Sequence, residues 1–176
     1  TQDLVELRGN RYAKKRNLIH QFTRVYVRDK RVATGMITEK DVSQCLDFLE
    51  KWCDLRKCDK DQEENMACEK LAVIAALHTI EELEWRGLCV RIDGEICAFA
   101  IMSHLTQDMG VLNFEKAYPH IKGLYQFLDN ECAKELFHGY VFMNKESDMG
   151  LADLAKSKKS YHPVEKLKSY CLTIKS

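Results

Sequence analysis

The chain has 176 residues, 45% of them hydrophobic and 31% charged, and its 27 basic and 27 acidic side chains cancel to a formal net charge of zero. That length suits one domain with a real core, and 2 Pro and 8 Gly exclude a linker-rich or low-complexity chain. No apolar run approaches the roughly 20 residues that a spanning helix needs, and no charged-then-apolar leader opens the chain. It starts at Thr1 rather than Met, as a processed chain or a piece of a longer one would.

Arg11 to Tyr26 is expected to be a helix: Ile19, Phe22 and Tyr26 recur at helical spacing, with Tyr12 further back on the same stripe and Arg16, His20 and Arg24 on another face. A helix of this length is marginal unless its stripe is buried. Val25 to Ile37 is β-branched and broken by Asp29 and Gly35, and reads as extended. Thr38, with Asp41 three residues on, approaches a capping box for a helix through Val42, Leu46, Leu49 and Trp52. A charged loop, Lys57 to Glu64, leads to a second helix through Leu71, Ile74, Leu77 and Ile80 to about Glu84. Residues 1–40 hold 10 basic and 4 acidic side chains, residues 41–84 hold 5 and 12. The first segment suits phosphates and the second repels them, or both are solvated surfaces.

Gly87 opens three strands. Leu88–Ile92 turns at Asp93-Gly94, a strong hairpin signal, into Ile96–Leu105, and Thr106–Asp108 leads to Met109–Ala117. Pro119 and Gly123 bracket the start of a helix over Ile121–Phe137, ended by Gly139. Tyr140–Asn144 is a short strand, Met149–Lys158 a small helix and Tyr170–Ile174 a last strand. The fold class is mixed α/β: three antiparallel strands, then helix-crossover strands, make one central sheet flanked by helices. Four of the eight cysteines (Cys45, Cys53, Cys68, Cys132) fall on amphipathic helices, and Cys89 and Cys97 fall on strands. They read as small core hydrophobes in a reducing cytoplasm rather than as a disulfide set. Cys53 and Cys58 lack a matching pair for zinc, so no metal is expected.

Several runs carry a resemblance: Leu7-Arg8-Gly9-Asn10-Arg11-Tyr12-Ala13-Lys14-Lys15-Arg16-Asn17, Asn113-Phe114-Glu115-Lys116-Ala117, Ile121-Lys122-Gly123-Leu124-Tyr125-Gln126, Asn144-Lys145-Glu146-Ser147-Asp148-Met149-Gly150 and Lys156 to Pro163. Over nearly its whole length the chain resembles the phosphatidylglycerol lysyltransferase C-terminal family. The resemblance implies the GNAT N-acyltransferase fold, an acyl-CoA or aminoacyl-tRNA donor, and an upstream GNAT-like half. On that reading residues 1–37 are a basic opening helix and first strand, and residues 38–176 the transferase domain, in one domain overall. A homodimer partner is the alternative to the upstream half. The chain departs from the family in having Lys145 in place of Arg, and Asp153 and Ala155 in place of Gly and Arg. An Arg at 155 would be a natural phosphate clamp.

Acyl transfer to an amine needs a held donor, a base near the nucleophile and a hydrogen-bond donor for the developing oxyanion. The resemblance places the donor where Met109–Ala117 and Tyr140–Asn144 splay apart. The helix that follows offers an anion site at its N-terminus, with His120, Lys122, Gly123, Leu124 and Tyr125 around it and Lys158 adding charge. Strand alternation puts Val111, Asn113 and Glu115 on one face. Glu115 is the candidate base or a structural ion-pair partner. Asn144 is placed to bind the donor's amide or carbonyl, and Glu146 an amine. Asp148 meets an amine or caps a helix, and Tyr161 protonates a leaving group or packs. Arg16 and Asn113 complete the substrate side. The acceptor is then a small-molecule or peptide amine, or a hydroxyl, with tRNA a possible donor partner. The rival reading is a binding or assembly domain that keeps the fold without the chemistry.

Overall fold

The computed structural model describes residues 1–56 and 64–168. In chain order these form α1 (Gln2–Glu6), α2 (Ala13–Phe22), β1 (Val32–Met36), α3 (Glu39–Arg56), α4 (Glu64–His78), β2 (Arg86–Ile92), β3 (Glu95–Thr106), β4 (Met109–Ala117), α5 (Leu124–Glu135), β5 (Phe142–Asn144) and α6 (Ala152–Lys159). The expected loop from Lys57 (all but Glu64) and the expected strand Tyr170–Ile174 lie outside the described residues.

One five-stranded sheet runs β1-β2-β3-β4-β5 in spatial order. Its first four strands are antiparallel and β5 joins β4 in parallel. The β2–β3 hairpin turns at Asp93-Gly94, both at positive φ, as a tight two-residue turn requires. Both faces of the sheet are covered, which is why Ile96 to Met102 is an unbroken buried run rather than an alternating one. On one face Leu88, Val90, Ala100 and Leu112 pack with Phe22 of α2 and Leu128 of α5. On the other, Cys89, Phe99 and Ile101 pack with Phe48 and Trp52 of α3 and Leu77 of α4. No described helix is long and apolar enough to cross a membrane.

The apolar stripe of α2 is buried as its spacing requires: Phe22 stacks on Phe127 at 4.7 Å and on Tyr26 at 5.1 Å. That packing corrects the expected extent of the first strand. Thr23–Val27 continues the helix as a π-helical turn and the strand begins only at Val32. The β preference of Val25 and Val27 gives way to helical packing of Tyr26 on Phe22. The helix after Pro119 begins at Leu124 rather than Ile121, and the last small helix at Ala152 rather than Met149, which is at positive φ. At α3, Asp41 makes one half of the expected capping box. It accepts from the Thr38 N–H at 2.9 Å and hydroxyl at 2.7 Å, and Arg91 of β2 closes on its other oxygen at 2.5 Å.

β4 does not alternate simply. Phe114 pairs with Ile101 but Leu112 with Met102, so Asn113 is an extra residue in a β-bulge. The expectation that Val111, Asn113 and Glu115 share a face is therefore corrected. Glu115, opposite Ala100, joins Leu112 on the α5 side, while Val111 and Phe114 face the other way.

Candidate active site

β4 and β5 pair over three residues only, Met109–Val111 against Phe142–Asn144. Past Asn144 the chain turns away, because the Asn144 side-chain oxygen accepts the Glu146 N–H at 2.8 Å and Glu146 takes a positive φ. Among the described residues, the rest of β4 has no neighbouring strand on that side. Into this parting come side chains from five parts of the chain: Lys15 (α2), Glu115 (β4), Asp129 (α5), Lys145 (just past β5) and Tyr161 (just past α6).

Lys145 is the hub. Its ammonium donates to Glu115 at 3.0 Å and to Asp129. Burial alone would lower its pKa, but the two carboxylates outweigh burial and hold it above the ordinary lysine range. Burial, then the neighbouring Asp129, pushes the Glu115 carboxyl up to about 7 against the pull of Lys145. Lys15 is 7% exposed, and its ammonium sits 3.6 Å over the Tyr161 ring. Desolvation brings that ammonium down to about 8, although Asp129 favours the charge. Lys145 lies 4.8 Å from the same ring. Burial, with Asp129 and Glu115 adding to it, keeps the Tyr161 hydroxyl protonated far above its ordinary range. Among the described residues, two buried acceptors here, Asn113 Oδ1 and Glu115 Oε1, have no hydrogen-bond partner, and the buried Tyr161 hydroxyl lies beside Asp129 and Gln126. Buried polar atoms are rarely left so.

The other expected site residues are spread around this cluster. Asn113 Nδ2 reaches Glu146 at 3.5 Å. Lys158 donates to the carbonyls of Lys145, of Glu146 at 3.2 Å and of Ser147 at 2.6 Å, fastening that loop. Asp148 accepts the Gly150 N–H at 3.1 Å, in a turn before α6 rather than as its cap. Arg16 is exposed and donates to the carbonyls of Leu7 and, at 2.7 Å, of Gly9. His120 and Lys122 are exposed in the turn before α5, His120 stacked on Tyr118 at 5.3 Å. That helix starts at Gly123 with no side-chain cap, Leu124 is fully buried and Tyr125 is half-buried. The close approach that Gly123 permits is made by α2: a Cβ there would lie 2.2 Å from the Leu18 carbonyl oxygen.

Lys15, Asp129 and Lys145 were not singled out by sequence reasoning as site residues. For the first two a signal exists. Lys15 falls on the Tyr12–Ile19–Phe22 stripe, and Asp129 lies beside Leu128 on a helix that buries Leu124, Phe127 and Cys132. A charge on a buried stripe needs a partner or a task.

The family described as phosphatidylglycerol lysyltransferase, C-terminal, matches residues 1–173. No curated protein sequence matches the chain. Among solved structures, a conserved protein of unknown function from Bacteroides thetaiotaomicron VPI-5482 is 32% identical with a TM-score of 0.85, over 93% of this chain and 54% of that one. The C-terminal domain of a putative lysylphosphatidylglycerol synthetase from Agrobacterium fabrum is 18% identical, TM-score 0.53, over 90% and 54%. A ribosomal-protein-alanine N-acetyltransferase from Brucella melitensis biovar Abortus 2308 is 14% identical, TM-score 0.59, over 82% and 99%. The chain thus spans about half the length of the first two. It has the GNAT acyltransferase fold, and it belongs to the phosphatidylglycerol lysyltransferase C-terminal family.

Proposed function

We propose that this domain transfers an acyl or aminoacyl group to an amine at the parting of β4 and β5, with Glu115 as the base. The observation that supports this most is a set of three buried atoms, the unpaired Asn113 Oδ1 and Glu115 Oε1 and, near them, the Tyr161 hydroxyl. Two are acceptors suited to an incoming amine. The third is a hydroxyl that can donate to an oxyanion or a leaving group. Glu115 accepts a proton from the amine nitrogen as that nitrogen bonds to the donor carbonyl. Its raised pKa brings it close to the value at which a base works best near neutral pH. Tyr161, held protonated, gives a hydrogen bond to the departing sulfur or oxygen, which leaves as the anion while Glu115 keeps the amine's proton. Lys145 holds the carboxylates of Glu115 and Asp129 in place and tempers their mutual repulsion.

On this reading the donor's phosphates lie at the uncapped start of α5, near His120 and Lys122, and the reactive carbonyl lies between the strands. Acyl-CoA is the donor that the fold favours, and aminoacyl-tRNA the one that family membership favours. Asn144 and Glu146 line the acceptor side with Asn113. Calorimetric titration with acetyl-CoA, free CoA and a non-hydrolysable lysyl-adenosine analogue separates the two. Glu115→Gln should keep donor affinity and slow transfer by about 10²–10⁴-fold. Parent protein that binds none of these probes would remove the reading.

A second reading is a binding domain without chemistry. It is favoured by the ion pairs that already occupy Glu115 and Asp129 and by Ala155 in place of the expected Arg. Its mark is donor binding with no transfer to any amine.

A further inference from the structure

The stretch from Glu146 to His162 crosses the site as a strap. Its helix, α6, buries no residue, and Met149 and Leu151 remain exposed. Apolar packing therefore does little to hold it, and a few polar and ring contacts do the rest. Lys158 grips the carbonyls of the 145–147 loop. The Tyr12 hydroxyl donates to the Tyr161 carbonyl at 3.2 Å, the Tyr12 ring meets the His162 ring edge-on at 5.6 Å, and His162 Nε2 lies 3.3 Å from the Arg11 carbonyl. Both ends carry left-handed residues: Glu146, Met149 and Gly150 at one, His162 at the other. Segments with few buried apolar contacts open locally at lower free energy than the core beneath them.

Beneath the strap lie the groups that any substrate must reach. The Glu115 side chain is 17% exposed, but its unpaired oxygen, Oε1, is buried, and the Tyr161 hydroxyl is buried beside Asp129 and Gln126. Lys15 meets the strap from below. Its ammonium has an aromatic face as its contact, and no described carboxylate or carbonyl accepts from it. Asp129 of α5, Glu115 of β4, Lys145 past β5, Tyr161 of the strap and Lys14 on its own helix all act on it. A buried ammonium with no acceptor costs more than a ring face returns.

We infer that Glu146–His162 is a strap that lifts to admit substrate to Glu115, and that Lys15, as a positioning residue, keeps the closed strap from becoming too stable to lift. The purpose of lifting rests on the transfer proposed above, but the motion itself is measurable without any ligand. Lifting returns the Lys15 ammonium to water, which closing had denied it. An isosteric apolar side chain at position 15 removes that gain and leaves the strap shut.

The test is chemical access. Glu115 is labelled with a water-soluble carbodiimide and glycinamide. In parallel, Cys132, fully buried on the inner face of α5, is labelled with a maleimide. Each rate is divided by that in the urea-unfolded chain to give a protection factor. A strap that lifts makes Glu115 at least about tenfold less protected than Cys132, because local opening costs less than global unfolding. Lys15→Met should then raise Glu115 protection by about tenfold, since the open state no longer regains a solvated charge. Equal protection of Glu115 and Cys132 in the unmutated chain overturns the strap. A fall in Glu115 protection in Lys15→Met overturns the role of Lys15 and makes it a fastener. If neither Lys15→Met nor Lys15→Gln folds, Lys15 is a structural necessity and its assigned role fails, while the comparison in the unmutated chain still decides the strap. Donor titrations are separate, so loss of the transfer reading and loss of the strap are told apart.

Discussion

Lys15 is the residue at which solvation and charge compete most openly. Its pKa is lowered to about 8 in the folded chain, from 10.5. The folded state therefore binds fewer protons than the unfolded one between those values, and stability rises with pH across that window. Below about pH 8 the cost of the buried charge is fully present. Lys15→Met should accordingly be more stable than the parent by about 1–2 kcal/mol at pH 7, with the gap closing toward pH 10.5. Urea unfolding of both proteins at the two pH values checks this. At Glu115 the transfer reading sets the sign of the pH–rate profile: kcat/KM rises as the carboxylate loses its proton around pH 7. Glu115→Gln should lower kcat by about 10²–10⁴-fold and flatten that limb, as steady-state rates across pH would show. Gly123 behaves differently from what a phosphate turn suggests. It has φ +86° and the Leu18 carbonyl against it, so Gly123→Val should cost about 3 kcal/mol or more of stability. A thermal melt that leaves Gly123→Val near the parent would contradict that packing. Glu115 and Tyr161 were legible because strand and motif flagged them. Lys15 and Asp129 were not, because a charge on a buried stripe reveals its partner only when another element meets it.

At the scale of elements, α3 shows how a local signal is completed at long range. Thr38 and Asp41 are three residues apart and readable as a cap, but Arg91 arrives from β2, 50 positions on. Burial alone would raise the Asp41 pKa. Hydrogen bonds from Thr38 and Arg91 outweigh it and hold the pKa below the ordinary carboxylate value of 3.8. Its contribution to stability is present above that value and is lost as pH falls through the lower folded one. Asp41→Ala should cost about 1–3 kcal/mol at pH 7, measured by denaturant unfolding, and much less in strong acid. The boundaries of β2, β3 and β4 followed to within two residues from Gly87, the Asp93-Gly94 turn and the Thr106–Asp108 turn. The bulge at Asn113 did not, since an extra residue in one strand is defined only against its partner. The first strand was overextended because β-branched Val25 and Val27 favour strand while Phe22 and Tyr26, four apart, bury best as helix.

For the whole molecule, the five described free cysteines (Cys45, Cys53, Cys89, Cys97, Cys132) are all buried. Burial raises Cys45 to about 12 and Cys132 well above the ordinary thiol range. The thiolate is the reactive form, so these five should resist a thiol reagent in the native state and react on unfolding, as peptide mapping by mass spectrometry would report. The three-layer arrangement also sets the expectation for ligand. A donor seated at the parting of β4 and β5 binds the native state alone, and acetyl-CoA at 100 times its Kd should stabilise the domain by about 2.7 kcal/mol. A melting temperature unmoved by acetyl-CoA and by lysyl-adenosine analogue would favour the binding-domain reading. The chain covers about half of its 32%-identical relative.

By itself the sequence determined the order of the elements from α2 to α6, the mixed α/β class and the family, but not the short helix α1. These rest on short-range facts: the period of the apolar residues, glycine and proline punctuation, and local words such as Asn144 to Gly150. It also placed Glu115 on the central strand and Tyr161 after the last described helix. Only the tertiary structure decided that Glu115 faces α5, because the Asn113 bulge inverts the alternation. Only it decided that Lys145 is shared between two carboxylates and that Lys15 lies under the strap. The physical reason is the same each time. A side chain's charge state and exposure depend on what stands within a few ångströms of it, and here those neighbours come from residues 15, 115, 129, 145 and 161, which only the folded sheet and its covering helices bring together.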